Sequence, residues 1–156
     1  MYINDGSGNT VGATNGLGNL VVGYNELRGA NDTRTGSHNI VVGSKNNYSS
    51  FGGLVVGLEN TVTSKYSSVS GGTLSTASGM YSSVSGGKRN TASGDYSSVS
   101  GGNENTASGD KSSISGGRQN IASGLVASVS AGSESTASGW LSSILGGDQN
   151  EASGTA

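Results

Sequence analysis

Polar and apolar residues alternate along most of the chain, in short runs that recur at a fixed step. Tyr66-Ser-Ser-Val69-Ser-Gly-Gly72 returns at 81–87, 96–102 and 111–117. Degenerate copies follow at 126–133, with Ala131 in place of the first glycine, and at 141–147. The central apolar residue falls at Val69, Val84, Val99, Ile114, Val129 and Ile144, each 15 residues after the last. A second run lies between these: Ser75-Thr-Ala77-Ser-Gly79, then 90–94, 105–109, 120–124, 135–139 and 150–154. Alternation with a period of two predicts strands, and the glycine-bearing segments between them predict turns. Each unit therefore holds two strands of roughly five residues and two turns, with no room for a helix. Self-similarity this strict predicts stacked repeats in which each strand hydrogen-bonds to its own copy in the next unit.

The N-terminal part carries the same pattern in less regular form. Asn19-Leu-Val-Val-Gly23, Asn39-Ile-Val-Val-Gly43 and Gly53-Leu-Val-Val-Gly57 supply the first run, with central residues Val21, Val41 and Val55. The step is 14 from 41 to 55 and from 55 to 69, but 20 from 21 to 41. Removing about six residues from Gly29-Ala-Asn-Asp-Thr-Arg-Thr-Gly36 restores the shorter step, so 29–36 is predicted to be an inserted loop. Asn9-Thr-Val11-Gly12 matches the second run of an incomplete first unit. The count is about nine and a half repeats in one continuous solenoid, with irregular repeats over 1–64 and regular Ser/Gly-rich ones over 65–156. At ~4.8 Å between strands, nine units make a rod on the order of 45 Å long. Gly154-Thr-Ala156 matches Gly139-Trp-Leu141, so the pattern points to a further Ser-Ser-Val strand and a longer fibre.

The alternation also assigns faces. With Val69 inward, Ser67 and Gly71 point in while Ser68 and Ser70 point out; in the second strand Ser75 and Ala77 point in, Thr76 and Ser78 out. The interior is then thin, Val or Ile against Ala. Asn60, Asn90, Asn105, Asn120 and Asn150 share one inward column and are predicted to form a hydrogen-bonded ladder that satisfies turn amides. Lys88, Arg89, Glu104, Arg118, Glu134 and Asp148 fall in the turn after the first strand, and Asp95, Asp110 and Lys111 in the turn after the second, where they stay solvated. In the regular repeats only Glu151 falls on a strand, at an outward position. The outward face of the first strand is Leu20 and Val22, Ile40 and Val42, Leu54 and Val56 in the early repeats, then serine from Ser68 onward until Leu145. A strand apolar on both faces is usually buried on both, so these seven residues are the expected self-association surface.

Composition alone points elsewhere. Serine (31) and glycine (29) dominate the 156 residues while apolar residues reach only 31%, the profile of a disordered linker; the strict period is what argues for a fold. The absence of proline excludes collagen, and the absence of cysteine excludes disulfides and thiolate metal sites. A net charge of −2 supplies no basic footprint, so no nucleic-acid partner is expected. No apolar run approaches the ~18 residues of a membrane span, so this segment is not expected to insert directly into a membrane. No cofactor and no metal are expected.

These residues resemble a known family, the head repeats of trimeric autotransporter adhesins (YadA-like heads), which are built of 14- or 15-residue units with a motif of the type Ser-Val-Ala-Ile-Gly. The three Val-Val-Gly segments look like that motif. Ser68-Val-Ser-Gly71 is similar to it with serine substituted, and the resemblance spans nearly the whole chain. It implies a left-handed parallel β-roll, three of which associate side by side as a homotrimer. It also implies a cell-surface, outer-membrane-anchored bacterial fibre that binds a protein or glycan on host or neighbouring cells. Where the family places aliphatics toward neighbouring subunits, this chain has Ser68/Ser70, Ser83/Ser85, Ser98/Ser100 and Ser113/Ser115. An interface there would rest on hydroxyls and trapped water. Apolar character returns at Leu125, Val126, Trp140, Leu141, Ile144 and Leu145, consistent with an assembly clamped at both ends.

Candidate adhesion residues are Asn31, Asp32 and Arg34 of the loop, Tyr24 and Arg28 beside it, and the row Tyr66, Tyr81, Tyr96, whose rings can stack on sugars or extended chains or simply pack on one another. The alternative class is an ice- or crystalline-surface-binding solenoid that uses Ser68/Ser70 and Thr76/Ser78 columns. A third is a trimeric β-helical acyltransferase, but its hexapeptide repeat does not divide 14 or 15 and His38 has no acid at a defined offset. No catalytic residue is expected. Gly6-Ser-Gly8 and Gly16-Leu-Gly18 have no following helix to hold a phosphate and read as turns.

Overall fold

Stacking identical short strands lets each coil satisfy its backbone on its neighbour rather than on itself, and the architecture follows from that. In the computed structural model, which describes residues 3–154, the chain winds into a parallel β-solenoid of about eight turns, with no helix among the described residues. Successive strands alternate between two sheets. The first has nine strands: Leu20–Val22, Ile40–Ser44, Leu54–Leu58, then six two-residue strands from Ser68–Val69 to Ser143–Ile144. The second has eight: Asn47–Tyr48, Thr61–Val62, then six from Thr76–Ala77 to Glu151–Ala152. Every pairing is parallel and joins equivalent residues, Val55 to Val69 to Val84 in one sheet and Val62 to Ala77 to Ala92 in the other.

Three expectations about the coils need correction. The roll has about eight turns, not about nine and a half repeats, because among the described residues no strand forms before Leu20 and the second sheet begins only at Asn47. The regular strands are two residues long, not five, because each coil turns two corners on residues in the left-handed region, such as Tyr81 (φ 58°) and Arg89 (φ 54°). That conformation breaks a strand but not the ladder. The amides of Tyr81 and Arg89 still donate to the carbonyls of Lys65 and Thr73 one coil earlier, and Thr73 to Gly87 one coil later. The predicted half-repeat at Asn9–Gly12 forms no strand. The side chains of Asn4, Asp5, Asn9 and Asn15 each accept a hydrogen bond from the amide two residues on, so a chain of Asx turns occupies this stretch.

The predicted faces hold within the strands but not at Gly71, expected inward: a Cβ on its equivalents Gly86, Gly101 and Gly116 would meet open space, because the chain has already left the strand there. Val41, Val55, Val69, Val84, Val99, Ile114 and Val129 form a buried column opposite Tyr48, Val62, Ala77, Ala92, Ala107, Ala122 and Ala137. Ser67, Ser82, Ser97 and Ser112 fill the same interior, and Ser70, Ser85 and Ser100 are exposed. Each buried aliphatic contributes about 1.5–3 kcal/mol.

The polar interior is organised by asparagine. Asn105 Oδ1 accepts the backbone N–H of Asn120 (3.0 Å), and its Nδ2 donates to the carbonyls of Gly101 (3.0 Å) and Gly117 (2.9 Å), one in its own coil and one in the next. Asn60, Asn90 and Asn120 repeat the arrangement, and Ser75 and Ser135 stand in with a shorter acceptor. Asn150, placed in the same column, is exposed in the last described coil. Coils also approach closely at the corners, where a Cβ on Gly94 would lie 2.2 Å from the Gly109 carbonyl oxygen.

Gly94→Ala should therefore lower stability by about 1–3 kcal/mol through overpacking, whereas Gly86→Ala, with nothing within 4 Å of its Cβ and an ordinary φ, should leave it within about 0.5 kcal/mol. Asn105→Ala should cost about 1–3 kcal/mol by stranding a buried amide. Ser97→Ala should be nearly neutral, since its hydroxyl has no partner and Ala127 already occupies that column. Thermal and chemical unfolding of the four variants checks all of these.

Candidate functional site

The outward face of the first sheet is where sequence and solvent disagree most. In Leu20–Val22, Ile40–Ser44 and Leu54–Leu58 the inward positions are Val21, Val41 and Val55, so alternation sends Leu20, Val22, Ile40, Val42, Leu54 and Val56 outward. In-register pairing aligns them as two short apolar columns, Leu20–Ile40–Leu54 and Val22–Val42–Val56. Val22 is 53% exposed and Ile40 47%, while Val42, Leu54 and Val56 are half-buried. The columns continue as serine from Ser68 and Ser70, with Ser128 donating to Ser143 at 3.0 Å, until Leu145 restores an aliphatic at 83% exposure.

The second outward face consists of hydroxyls. Thr61, Thr76, Thr91, Thr106 and Thr136 stand in one column, interrupted by Ile121 and ended by Glu151, with Ser93, Ser108 and Ser123 exposed beside it.

The predicted insertion is folded against this second face. Thr33 and Gly36 bond Tyr48, and Ser37 bonds Ser50, so the end of 29–36 runs along the roll and only its beginning, with the residues before it, bulges outward. Asn47 Nδ2 donates to the Asn31 carbonyl (2.8 Å). Arg34 pairs with Asp32 (2.7 Å) and donates to the Asn25 carbonyl. Arg28 reaches across two coils to the carbonyls of Lys45 (3.0 Å) and Asn60 (2.9 Å) and to Thr61 Oγ1 (2.8 Å). Arg28, Asp32 and Arg34 thus hold the loop in place, and their charges are largely spent within the chain. Tyr24, 95% exposed, is the loop residue that offers a free ring.

Burial pushes the Asp32 carboxyl up, but the Arg28 amide and the Arg34 guanidinium donate to it and both arginine charges attract it, so its pKa lies below the ordinary carboxylate value. Burial lowers the Arg28 pKa, opposed by Glu59 and Asp32.

The tyrosine row is a stack. Tyr66 and Tyr81 lie with centroids 5.3 Å apart and Tyr81 and Tyr96 5.0 Å apart, nearly parallel, and Tyr66 sits edge-on to Phe51 at 5.5 Å. The rings turn their faces to each other, and each residue keeps part of its surface exposed. The three residues are brought together, and the chain leaving the loop at Ser37 bridges to Phe51 beside them, while Tyr24 follows the strand Leu20–Val22.

In the sequence His38 has no acid at a defined offset, yet the folded N-terminal segment brings Asp5 Oδ1 to 3.6 Å from its Nε2. No motif could show this, because the pair forms only when the Asx-turn segment crosses the roll. Ser7 donates both its hydroxyl and its amide to Asp5 and so lowers the Asp5 pKa. An open cleft of about 470 Å³ lies beside the pair, lined by Ile3, Asn4 and Thr10 among others. Among the described residues no group of three His, Asp or Glu side chains is placed to hold a metal. No helix there is long and apolar enough to cross a membrane. No protein-family model matches the chain. No curated protein matches it.

Because the folded pKa of Asp32 is depressed, its contribution to loop stability is present above the ordinary carboxylate value, near pH 4, and is lost as pH falls through the lower folded value. Amide protection factors over 25–36, taken against the intrinsic exchange rate at each pH, should fall on acidification below about pH 4, while those of Val84 and Val99 stay high. Asp32→Asn should abolish that pH dependence, and a profile unchanged by the substitution would count against it.

Proposed function

We propose that the chain is a non-enzymatic rod module of a bacterial surface fibre, resembling the heads of trimeric autotransporter adhesins. In this reading three rolls, each wound left-handed, pack side by side and the assembly attaches to a protein or glycan on host or neighbouring cells. The observation that carries it is the apolar outward face of the first three strands of the first sheet. Val21, Val41 and Val55 already supply the interior. The six aliphatics on the other side lie outside that interior, and covering their exposed part with a second copy would contribute up to about 1.5–3 kcal/mol each. Leu145, with Leu125, Trp140 and Leu141 at the neighbouring corner, gives a second apolar region toward the other end. The serine columns between are neutral and can be bridged by water. Tyr24 and the surrounding loop are the surface feature that departs from the repeat, which makes them the candidate contact with a receptor.

Val42→Asp with Val56→Asp should convert trimer to monomer in analytical ultracentrifugation while leaving circular dichroism unchanged; an intact trimer would overturn the assembly. Attachment is tested on a glycan and matrix-protein array with Tyr24→Ala as the control, and full binding by that variant would remove the loop as the contact.

A second reading, an ice- or crystalline-surface binder, is favoured by one observation, the in-register threonine column with its serine neighbour. Thermal hysteresis of the purified chain would support it, and none would leave adhesion.

A further inference from the structure

Arg28 is held by three acceptors from two successive coils, and none of them is peculiar to that place in the chain. Lys45 is a corner residue in the left-handed conformation (φ 56°), and Asn60 and Thr61 open the second-sheet strand of the next coil. The same corner recurs with the same backbone at Glu59 (56°), Leu74 (57°), Arg89 (54°), Glu104 (58°) and Gln119 (54°). Residues equivalent to Thr61 stack on it in register. A regular solenoid therefore reproduces the acceptor triad: a corner carbonyl, the carbonyl preceding the strand threonine, and that threonine's hydroxyl.

The corner carbonyls have no amide left to take. Asn105 N–H, which would reach the Arg89 carbonyl, goes to Asn90 Oδ1 (3.0 Å), and Ser135 N–H, beside the Gln119 carbonyl, goes to Asn120 Oδ1 (3.1 Å). Side chains then choose among the copies. At the Arg28 site an acidic residue, Glu59, precedes Asn60. Glu104, paired with Arg89 at 3.3 Å, precedes Asn105 in the triad Arg89–Asn105–Thr106, and Glu134, paired with Arg118 at 2.9 Å, precedes Ser135 in the triad Gln119–Ser135–Thr136, as Glu59 is paired with Lys45 at 3.7 Å beside Arg28. The Glu59–Ser75–Thr76 and Leu74–Asn90–Thr91 copies have Leu74 and Arg89 at that place instead of an acid, and the Glu104–Asn120 copy has Ile121 where the hydroxyl should be.

We propose that the Arg89–Asn105–Thr106 and Gln119–Ser135–Thr136 triads are guanidinium-binding sites that take arginine side chains from an extended segment of a partner protein, as Lys45–Asn60–Thr61 takes Arg28. A planar guanidinium presents several fixed donors to such divergent acceptors, whereas an ammonium ion is a compact point charge. The sites lie two coils apart, about 10 Å, a distance that an extended chain covers in about three residues. The inference goes beyond the rod reading and does not depend on it, since a single roll carries both sites.

The test is a titration of the isotope-labelled chain with Arg-Gly-Gly-Arg and Lys-Gly-Gly-Lys peptides, followed by backbone NMR. The arginine peptide should shift the signals of 104–107 and 134–137 and bind about tenfold more tightly than the lysine peptide. Thr106→Val with Thr136→Val, which keeps shape and strand propensity, should remove about that factor. In Arg28→Ala the same peptide should also shift residues 60 and 61. Equal affinity for the two peptides would show plain attraction to Glu104 and Glu134 and overturn the proposal, as would shifts confined to other residues. Analytical ultracentrifugation of the same samples keeps a failure of the assembly reading separate from a failure of this one.

Discussion

The structure depends on one constraint: each coil must lie within hydrogen-bonding distance of the next all the way round, corners included. With strands of two residues, the sheets alone supply few bonds, and the ladder survives because corner amides such as those of Tyr81, Arg89 and Lys111 also reach back to the previous coil. That closeness dictates composition. Gly94, Gly109 and Gly124 stand where any side chain would strike the next coil's carbonyl. Asn90, Asn105 and Asn120 tie coils together at the point where the backbone turns too sharply to pair with itself. A chain this poor in apolar residues folds because its polar groups bond to their own copies, and only a single narrow valine-alanine seam need exclude water.

Repetition has a second consequence. A side chain that is unremarkable in one coil becomes a surface when the next coil repeats it. The tyrosines stack into a row, threonines form a hydroxyl column, and the acceptors that seat Arg28 recur wherever the corner and strand residues recur. The surfaces that differ from the rest of the roll lie where the repeat is broken or decorated: the apolar outward face at one end, the inserted chain around Tyr24, the corners at Glu104 and Glu134. The faces between are uniform, and uniformity gives stiffness and reach.

The cost of the corners is visible in the backbone. Two non-glycine residues per coil sit in the left-handed region, among them the β-branched Val126 (φ 60°), a conformation that costs roughly 1–2 kcal/mol per residue. In-register stacking offsets this because the corner carbonyl and amide positions are set by neighbours on either side. The end segments lack one neighbour, and residues 3–19 resort to side-chain caps from Asn4, Asp5, Asn9 and Asn15 instead of a ladder.

The period, the two strands per unit, the inward Val and Ala columns and the asparagine ladder were all legible in the residues, because a side chain's direction in a strand follows from its parity and stacked repeats place like on like. Strand length was not legible, since alternation of Ser, Val and Ser continues past the residues that pair, and left-handed corners at Tyr66 or Glu104 carry no glycine to announce them. Nor was the fate of the loop. Arg28, Asp32 and Arg34 read as free charges until tertiary structure set Lys45, Asn60 and Thr61 against the guanidinium. The Asp5–His38 pair needed the N-terminal segment to cross the roll. Local pattern determines what repeats with itself. Contacts between a segment that breaks the pattern and the coils it lies against depend on where the chain is carried in space, and only the folded structure decides them.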